Sequence, residues 1–377
     1  MKITDLRIIV HERTMPTGTG RPTMPLAVMT IATDEDIEGH VFVAAPAPDV
    51  TRQLVSTVKP MLLGRNPLDL GTVWHDLAAL SRLLDPTVQG YVDIALWDIA
   101  GKAAGLPVHR LLGSCRTRVP CYASSWVHAD DAVYAEEAVA YAEAGLAGYK
   151  LHPPTQRRRT PVGDGGPVPA ATDIEVCGQV RAAVGADYLL MLDSAWAYSY
   201  KEALDVGFAI QDLGFHWYED PLGAEDIDGY VRLKQHLWIP VVATEITAGG
   251  LYALPRWIAA RATDVVRGDV VIKGGLTGMM KVGALAEAHH LPCEVHDAYN
   301  AIGNLATVHL VMAMPACSMY EVLAIHEPGS YDLEHLSYGL AEPISIDAAG
   351  FVHAPERPGL GIGIDWDLIR SSVIAEL

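Results

Sequence analysis

The stretch HWYEDPL, His216 to Leu222, follows an apolar approach, Leu213-Gly214-Phe215, and stops on two acids and a proline. A turn explains this locally, because Asp-Pro starts turns and acids favour solvent. The same ending recurs along the chain on a steady beat. YLLMLD closes on Asp193, FHWYE on Glu219, PVVATE on Glu245, VVRGD on Asp269 and PCEVH on His296, and Glu321 follows CSMY. These positions lie 26, 26, 24, 27 and 25 residues apart. One strand, one helix and two loops take about 25 to 30 residues, the repeat length of a βα unit. Six successive strands ending on ionisable residues predict a (β/α)8 barrel, where all such ends converge on one mouth. A turn former explains one such acid but not six in phase.

The texture on either side agrees. From RVPCYAS onward, short Val/Ile/Leu-rich runs alternate with Ala-rich helical stretches such as DAVYAEEAVAYAEAG and MMKVGALAEAHH. This rhythm fills residues 118–349. A doubly wound sheet is the competing architecture, but no G-x-G-x-x-G follows any of these strands. Before it, residues 1–117 read as an α+β capping domain. LAVMTIATDEDIEGHVFVA is two apolar runs joined by an acidic turn. In GYVDIALWDIAGKAAG, Val92, Ala95, Leu96 and Ile99 share one helical face and Gly105 is the expected stop. The Gly/Pro-rich end, about 350–377, shows no strand-helix rhythm and is expected to pack back on the cap.

Composition narrows the function. Of 377 residues, 50% are hydrophobic and 19% charged, which suits a globular protein with a large core. Lys plus Arg total 27 and Asp plus Glu 46, a formal charge of −19. That balance argues against nucleic acid and against an anionic membrane surface. No run approaches the roughly 18 apolar residues of a membrane-spanning helix. MKITDLRIIV reads as a first strand and not as a signal peptide. The five cysteines have no C-x-x-C spacing, so a reducing cytoplasm is expected and a zinc site is not.

Asp193, Glu219 and Glu245 are three consecutive strand-end carboxylates, an all-oxygen set suited to Mg2+, with Mn2+ as the second choice. Next come Asp269 and His296 on neighbouring strands, where the carboxylate can fix the imidazole tautomer. Lys150 and His152, two apart in GYKLH, share a strand face and are candidate acid/base groups. The insertion PPTQRRRTPVGDGGPVP carries Arg157 to Arg159, and reads either as a solvated surface loop or as a βα loop at the mouth that helps to hold an anionic substrate. Arg21 sits in HERTMPTGTGRPTMP, a loop long enough to act as a lid. Arg21 is a candidate substrate-binding residue, and the arginines together hint at a second anionic group. Lys273, just before Gly274-Gly275, reads as structural, with substrate binding as its alternative role.

With these residues in place the chain resembles the enolase superfamily, and within it the mandelate racemase-like subgroup. The stretches that carry the resemblance are DIALWDIAGKAAGLPVHRLLG, GLAGYKLH, LMLD, WYEDP, ATE, RGDVVIKGGLTG, EVHD and YEV, spanning nearly the whole chain. The resemblance implies a capping domain over a modified TIM barrel, an essential Mg2+, and removal of a proton α to a carboxylate. It matches Asp193, Glu219 and Glu245 to the metal ligands, and Asp269 and His296 to the subgroup's dyad. Glu321 matches the acid that hydrogen-bonds the substrate carboxylate. Asp269 stands where the muconate-lactonizing branch has a lysine base, which argues against that branch. Two departures stand out. The subgroup's second-strand K-x-K is Lys150-Leu151-His152 here, leaving open which of the two takes a proton. The D-x-N of the third strand is Asp193-Ser194-Ala195, so the amide is missing.

What this implies is a lyase or isomerase acting on a small carboxylate through an ene-diolate. Dehydration of an acid sugar to a 2-keto-3-deoxy acid is the favoured reaction. Racemisation or epimerisation, and lactone cycloisomerisation, use the same parts and remain open, and a homo-oligomer is expected from the family.

Overall fold

The computed structural model describes residues 1–14, 23–44, 48–158, 166–298, 300–324 and 334–377. The chain opens with three antiparallel strands, β1 (Ile3–Thr14), β2 (Thr23–Thr33) and β3 (Glu38–Ala44). β2 lies between its neighbours, and Ala27, Val28 and Met29 are all buried, so both of its faces are covered. The long cap helix, Pro86–Ala104, starts where Asp85 accepts from the Thr87 N–H (2.9 Å) with Pro86 in the first turn, and ends at Gly105, φ 67°. The expected apolar face is buried, and so is most of the opposite face, including Asp93 and Asp98.

The barrel follows as eight parallel strands: β4 (Arg118–Ser125), β5 (Gly148–Leu151), β6 (Leu189–Asp193), β7 (Trp217–Glu219), β8 (Val241–Ala243), β9 (Val265–Asp269), β10 (Cys293–His296) and β11 (Tyr320–Ala324). They hydrogen-bond in the order β10-β9-β8-β7-β6-β5-β4-β11. Between β10 and β11 the barrel is nearly closed, and the seam is bridged by the Asp297 N–H donating to Glu321 Oε2 (3.1 Å). This is the modified TIM barrel that was expected, under a cap of antiparallel strands and helices.

The strand ends depart from the expectation in two places. Glu245 lies two residues past β8, and Glu321 is the second residue of β11. Inside, Tyr122, Met191, Trp217, Val242, Val265 and Met319 form an apolar plug. Alternation along each strand then sends the next inward residues, among them Lys150, Glu219, Arg267 and Glu321, to a layer above that plug.

The last segment is more regular than its composition suggests. β12 (Phe351–His353) pairs antiparallel with β4, at the barrel. β13 (Val373–Glu376) pairs with β1 and completes the cap sheet, placing Ala375 opposite Val10. Between them, Asp98 of the cap helix accepts from the Leu360 N–H (2.9 Å). Gly and Pro conceal these strands from a periodicity argument because each strand is so short.

Candidate active site

A cavity of about 150 Å3 opens at the C-terminal ends of the barrel strands. Its polar wall includes His152, Gln156, Asp193, Asp220, Glu245 and His296, and its apolar wall includes Trp126, Val127, Trp196 and Leu323. Asp193 and Glu219 are direct partners across β6 and β7, and Asp269 and His296 across β9 and β10. Register therefore sets Asp193 beside Glu219 and Asp269 beside His296, while Glu245 comes from the loop just past β8.

The dyad is present as a contact: His296 Nδ1 lies 3.1 Å from Asp269 Oδ2. Asp269 Oδ1 is occupied by the N–H groups of Val271 (2.7 Å) and Ile272 (2.8 Å). A carboxylate can only accept here, so His296 carries a proton on Nδ1. Its Nε2 faces Glu245 Oε1 at 3.6 Å. His152 shows the same logic. Its Nδ1 is 2.7 Å from the Ser125 carbonyl, which fixes the Nδ1–H tautomer, and its Nε2 is 3.1 Å from Asp193 Oδ2. Burial pulls both imidazoles down, but neighbouring carboxylates outweigh it. Asp193 raises His152, and Glu245 and Asp269 raise His296 to about 10.

Lys150 and Arg267 lie behind the cavity. The Lys150 ammonium is fully buried and sits 3.2 Å from Asp193, 3.2 Å from Glu219 and 2.7 Å from Glu321. Burial and Arg267 push its pKa down, but Glu219, Glu321 and Asp193 together hold it well above the usual lysine value. Arg267, also fully buried, pairs with Glu219, Glu245 and Glu321 and donates to Tyr122 Oη at 3.2 Å. Sequence reading missed Arg267. The signal was there: it stands two residues before Asp269 on one strand and so faces the same way.

The side chains themselves suit a divalent cation. Asp193, Glu219 and Glu245 offer only oxygens, as a hard cation requires. Glu219 Oε1 touches the Arg267 guanidinium but accepts no hydrogen bond. Burial raises the Glu219 carboxyl to about 7, against the opposing pull of Arg267 and Lys150. Among the described residues no three His, Cys, Asp or Glu side chains form a ready metal cage. Lys150, Arg267 and His152 engage the oxygens instead. The residues fit the group by chemistry and by strand placement.

Backbone strain gathers at the same rim. Ala195 (φ 43°), Trp196 (φ 62°), Asp220 (φ 41°) and Thr244 (φ 89°) all lie in the left-handed region beside Asp193, Glu219 and Glu245. Such conformations cost about 1–3 kcal/mol each and cluster where geometry serves function. Ala195, where the resemblance expected an amide, donates its N–H to Asp193 Oδ1 (2.9 Å). Gln156 Nε2 holds the Asp193 carbonyl at 2.7 Å. Neither Gln156 nor the two tryptophans was anticipated.

Other expectations fall elsewhere. Glu321 lies beneath the cavity, tied to Lys150 and Arg267. Lys273 does not line this cavity; its buried Nζ has no hydrogen-bond partner among the described residues, and Glu245, Asp269 and Asp220 supply the nearby negative charge. Arg157 is used by the His128 carbonyl (2.6 Å) and Asp131, and Arg158 lies 3.7 Å from Glu202. Arg21, with residues 15–22 of the loop expected over 15–24, and Arg159 lie outside the described residues, while 23 and 24 belong to β2.

Comparisons with known proteins bear on the family and the fold. Residues 4–113 match the family model described as mandelate racemase / muconate lactonizing enzyme, N-terminal domain, and residues 133–368 match the enolase C-terminal domain-like model. The chain is 30% identical over 277 residues to an arabinonate dehydratase of Saccharolobus solfataricus, covering 72% of this chain and 68% of that one. It is 28% identical over 385 residues to a D-galactarolactone cycloisomerase of Agrobacterium fabrum, covering 98% of each. A crystal structure of D-glucarate dehydratase from Agrobacterium tumefaciens, complexed with magnesium, superposes with a TM-score of 0.88 at 32% identity over 100% of both chains. The chain belongs to the mandelate racemase/muconate lactonizing enzyme family of the enolase superfamily, and is a lyase or isomerase of that superfamily.

Proposed function

We propose that the protein dehydrates an acid sugar after removing the proton α to its carboxylate. The observation that carries this reading is the pair of histidines on the cavity wall. His152 and His296 each have Nδ1 engaged by a fixed acceptor, and each presents Nε2 beside a carboxylate of the cation-type set. Two such groups, three strands apart around the rim, can serve opposite sides of one carbon. His152, and not Lys150, is the second acid/base in this reading. Lys150 is sealed among three carboxylates and does not reach the cavity.

A Mg2+ held by Asp193, Glu219 and Glu245, with Mn2+ as substitute, would stabilise the negative charge that develops on the substrate carboxylate. The remaining work falls to the chain. His152 takes the α-proton at Nε2. His296, protonated and oriented by Asp269, gives its Nε2 proton to the departing β-hydroxyl, which leaves as water. Lys150, Arg267 and Glu321 form the charged floor. The tryptophan walls limit access of water to the reacting carbon.

The relatives named as dehydratases support this reaction. The cycloisomerase at 98% coverage supports a second reading, in which nothing is expelled and the same two groups isomerise the substrate. A reducing compartment such as the cytoplasm fits the five free thiols. The test is a panel of mono- and diacid sugars with Mg2+ in D2O, followed by proton NMR. Loss of water to a keto acid is expected. Deuterium at the α-carbon with the skeleton intact would replace dehydration by epimerisation, and lactone opening or closure would establish the cycloisomerase.

A further inference from the structure

The Asp269–His296 pair is held from outside the barrel. Asp269 begins a tightly wound loop that ends in the helix Gly275–Ala288. Its Oδ1 accepts from Val271 and Ile272, its carbonyl from the Lys273 N–H (2.9 Å), and the Val270 carbonyl from the Gly275 N–H (2.7 Å). The carboxylate therefore moves with the loop backbone.

The cap domain clamps that same loop. Trp74 Nε1 donates to the Gly274 carbonyl at 2.7 Å, and Gln89 holds the Trp74 carbonyl at 2.9 Å. Asp93, on the cap helix, accepts from the Thr277 N–H at 2.9 Å. Two glycines make the contact possible. A Cβ on Gly90 would sit 2.0 Å from the Val271 carbonyl oxygen, and one on Gly275 would sit 2.3 Å from the Asp93 carboxylate. Gly275 also has φ +79°, which favours glycine independently. Trp74 and Asp93 are both buried, so this docking is a packed and hydrogen-bonded joint.

We propose that the cap domain sets the geometry of the Asp269–His296 pair through the loop 270–277, with Trp74, Gly90 and Asp93 as positioning residues. The inference rests on the reading of Asp269 and His296 as the acid/base dyad. None of the three cap residues lines the substrate cavity. Their effect passes along one short path: cap helix, loop backbone, Asp269 carboxylate, His296 ring. Displacement of a reacting group by about 1 Å can cost on the order of a hundredfold in rate.

The test reads the dyad directly and needs no substrate. In histidine-labelled protein the His296 Nδ1–H resonance is assigned by its loss in His296→Asn. Trp74→Phe removes one hydrogen bond and keeps an aromatic ring. Gly90→Ala favours the helix but pushes on the Val271 carbonyl. Both are expected to shift or broaden the His296 resonance. Leu54→Ala, buried in the cap core and part of none of these contacts, is expected to lower the melting temperature and leave the resonance in place. With a turnover assay, Trp74→Phe should lower kcat by about tenfold or more while KM and Mg2+ affinity hold. An unmoved resonance in Trp74→Phe overturns the proposal, as does an equal shift in Leu54→Ala. Failure of the acid-sugar screen bears on the function and leaves this readout intact.

Discussion

Arg267 shows what a single residue does in this site. Its guanidinium is fully buried and balances Glu219, Glu245 and Glu321 at once. Removing one member of a buried ionic cluster leaves uncompensated charge and costs about 3–5 kcal/mol. Arg267→Met is therefore expected to lower the urea midpoint of unfolding sharply, as followed by circular dichroism; an unchanged midpoint would show the cluster to be dispensable. The dyad gives a contrasting prediction. Asp269→Asn and His296→Asn should reduce turnover by about a hundredfold or more, while calorimetry still detects Mg2+ binding. Asp193, Glu219 and Glu245 were legible as rim acids because they recur every 26 residues, the length of a βα unit, although Glu245 lies just past its strand. Arg267 was not, because it lies one inward step below the rim, where the beat of strand ends does not sound. The sequence pointed to Lys150 as an acid/base candidate; its sealed position was not legible. Burial by carboxylates from β6, β7 and β11 is a property of the closed barrel and of no one strand.

Among the elements, the helix Ala301–Ala313 is buried along its whole length and meets both the cap side and the C-terminal segment. His309 is the polar link. Its Nδ1 accepts from the His109 N–H (3.0 Å), so Nδ1 must be unprotonated, and its Nε2 donates to the Leu360 carbonyl (3.0 Å). Burial pushes its pKa down from 6.5 to about 3. The unfolded chain thus takes up this proton first as pH falls. The stability it supports is complete above about 6.5 and is lost progressively toward about 3, at no more than about 1.4 kcal/mol per pH unit. Unfolding midpoints measured from neutral to acidic pH should fall, and His309→Gln should flatten part of that slope. An equal slope in the variant would contradict the assignment. Neither His309 nor its partners were legible in sequence, since His109, His309 and Leu360 meet only through tertiary packing. Strands β12 and β13 were hidden for a different reason: each is too short to show alternation, and their Gly/Pro-rich setting reads as loop.

At the scale of the whole molecule, two units with separate sheets are joined at a few places where the backbone approaches closely. The order of elements was legible because barrel repeats are local in sequence. The joint between cap and barrel was not, because Gly90 meets Val271, and Asp93 meets Gly275, across long stretches of chain. The cap thereby reaches the rim, where buried carboxylates outnumber the cations that face them. The decisive measurement is α-proton exchange of acid sugars in D2O, with Mg2+ present, after chelation, and after Mg2+ is restored. Exchange or loss of water is predicted to stop when the metal is stripped and to return when it is added back. Turnover that persists unchanged without metal, or that survives intact in Asp269→Asn, would contradict the assignment of metal ligands and dyad.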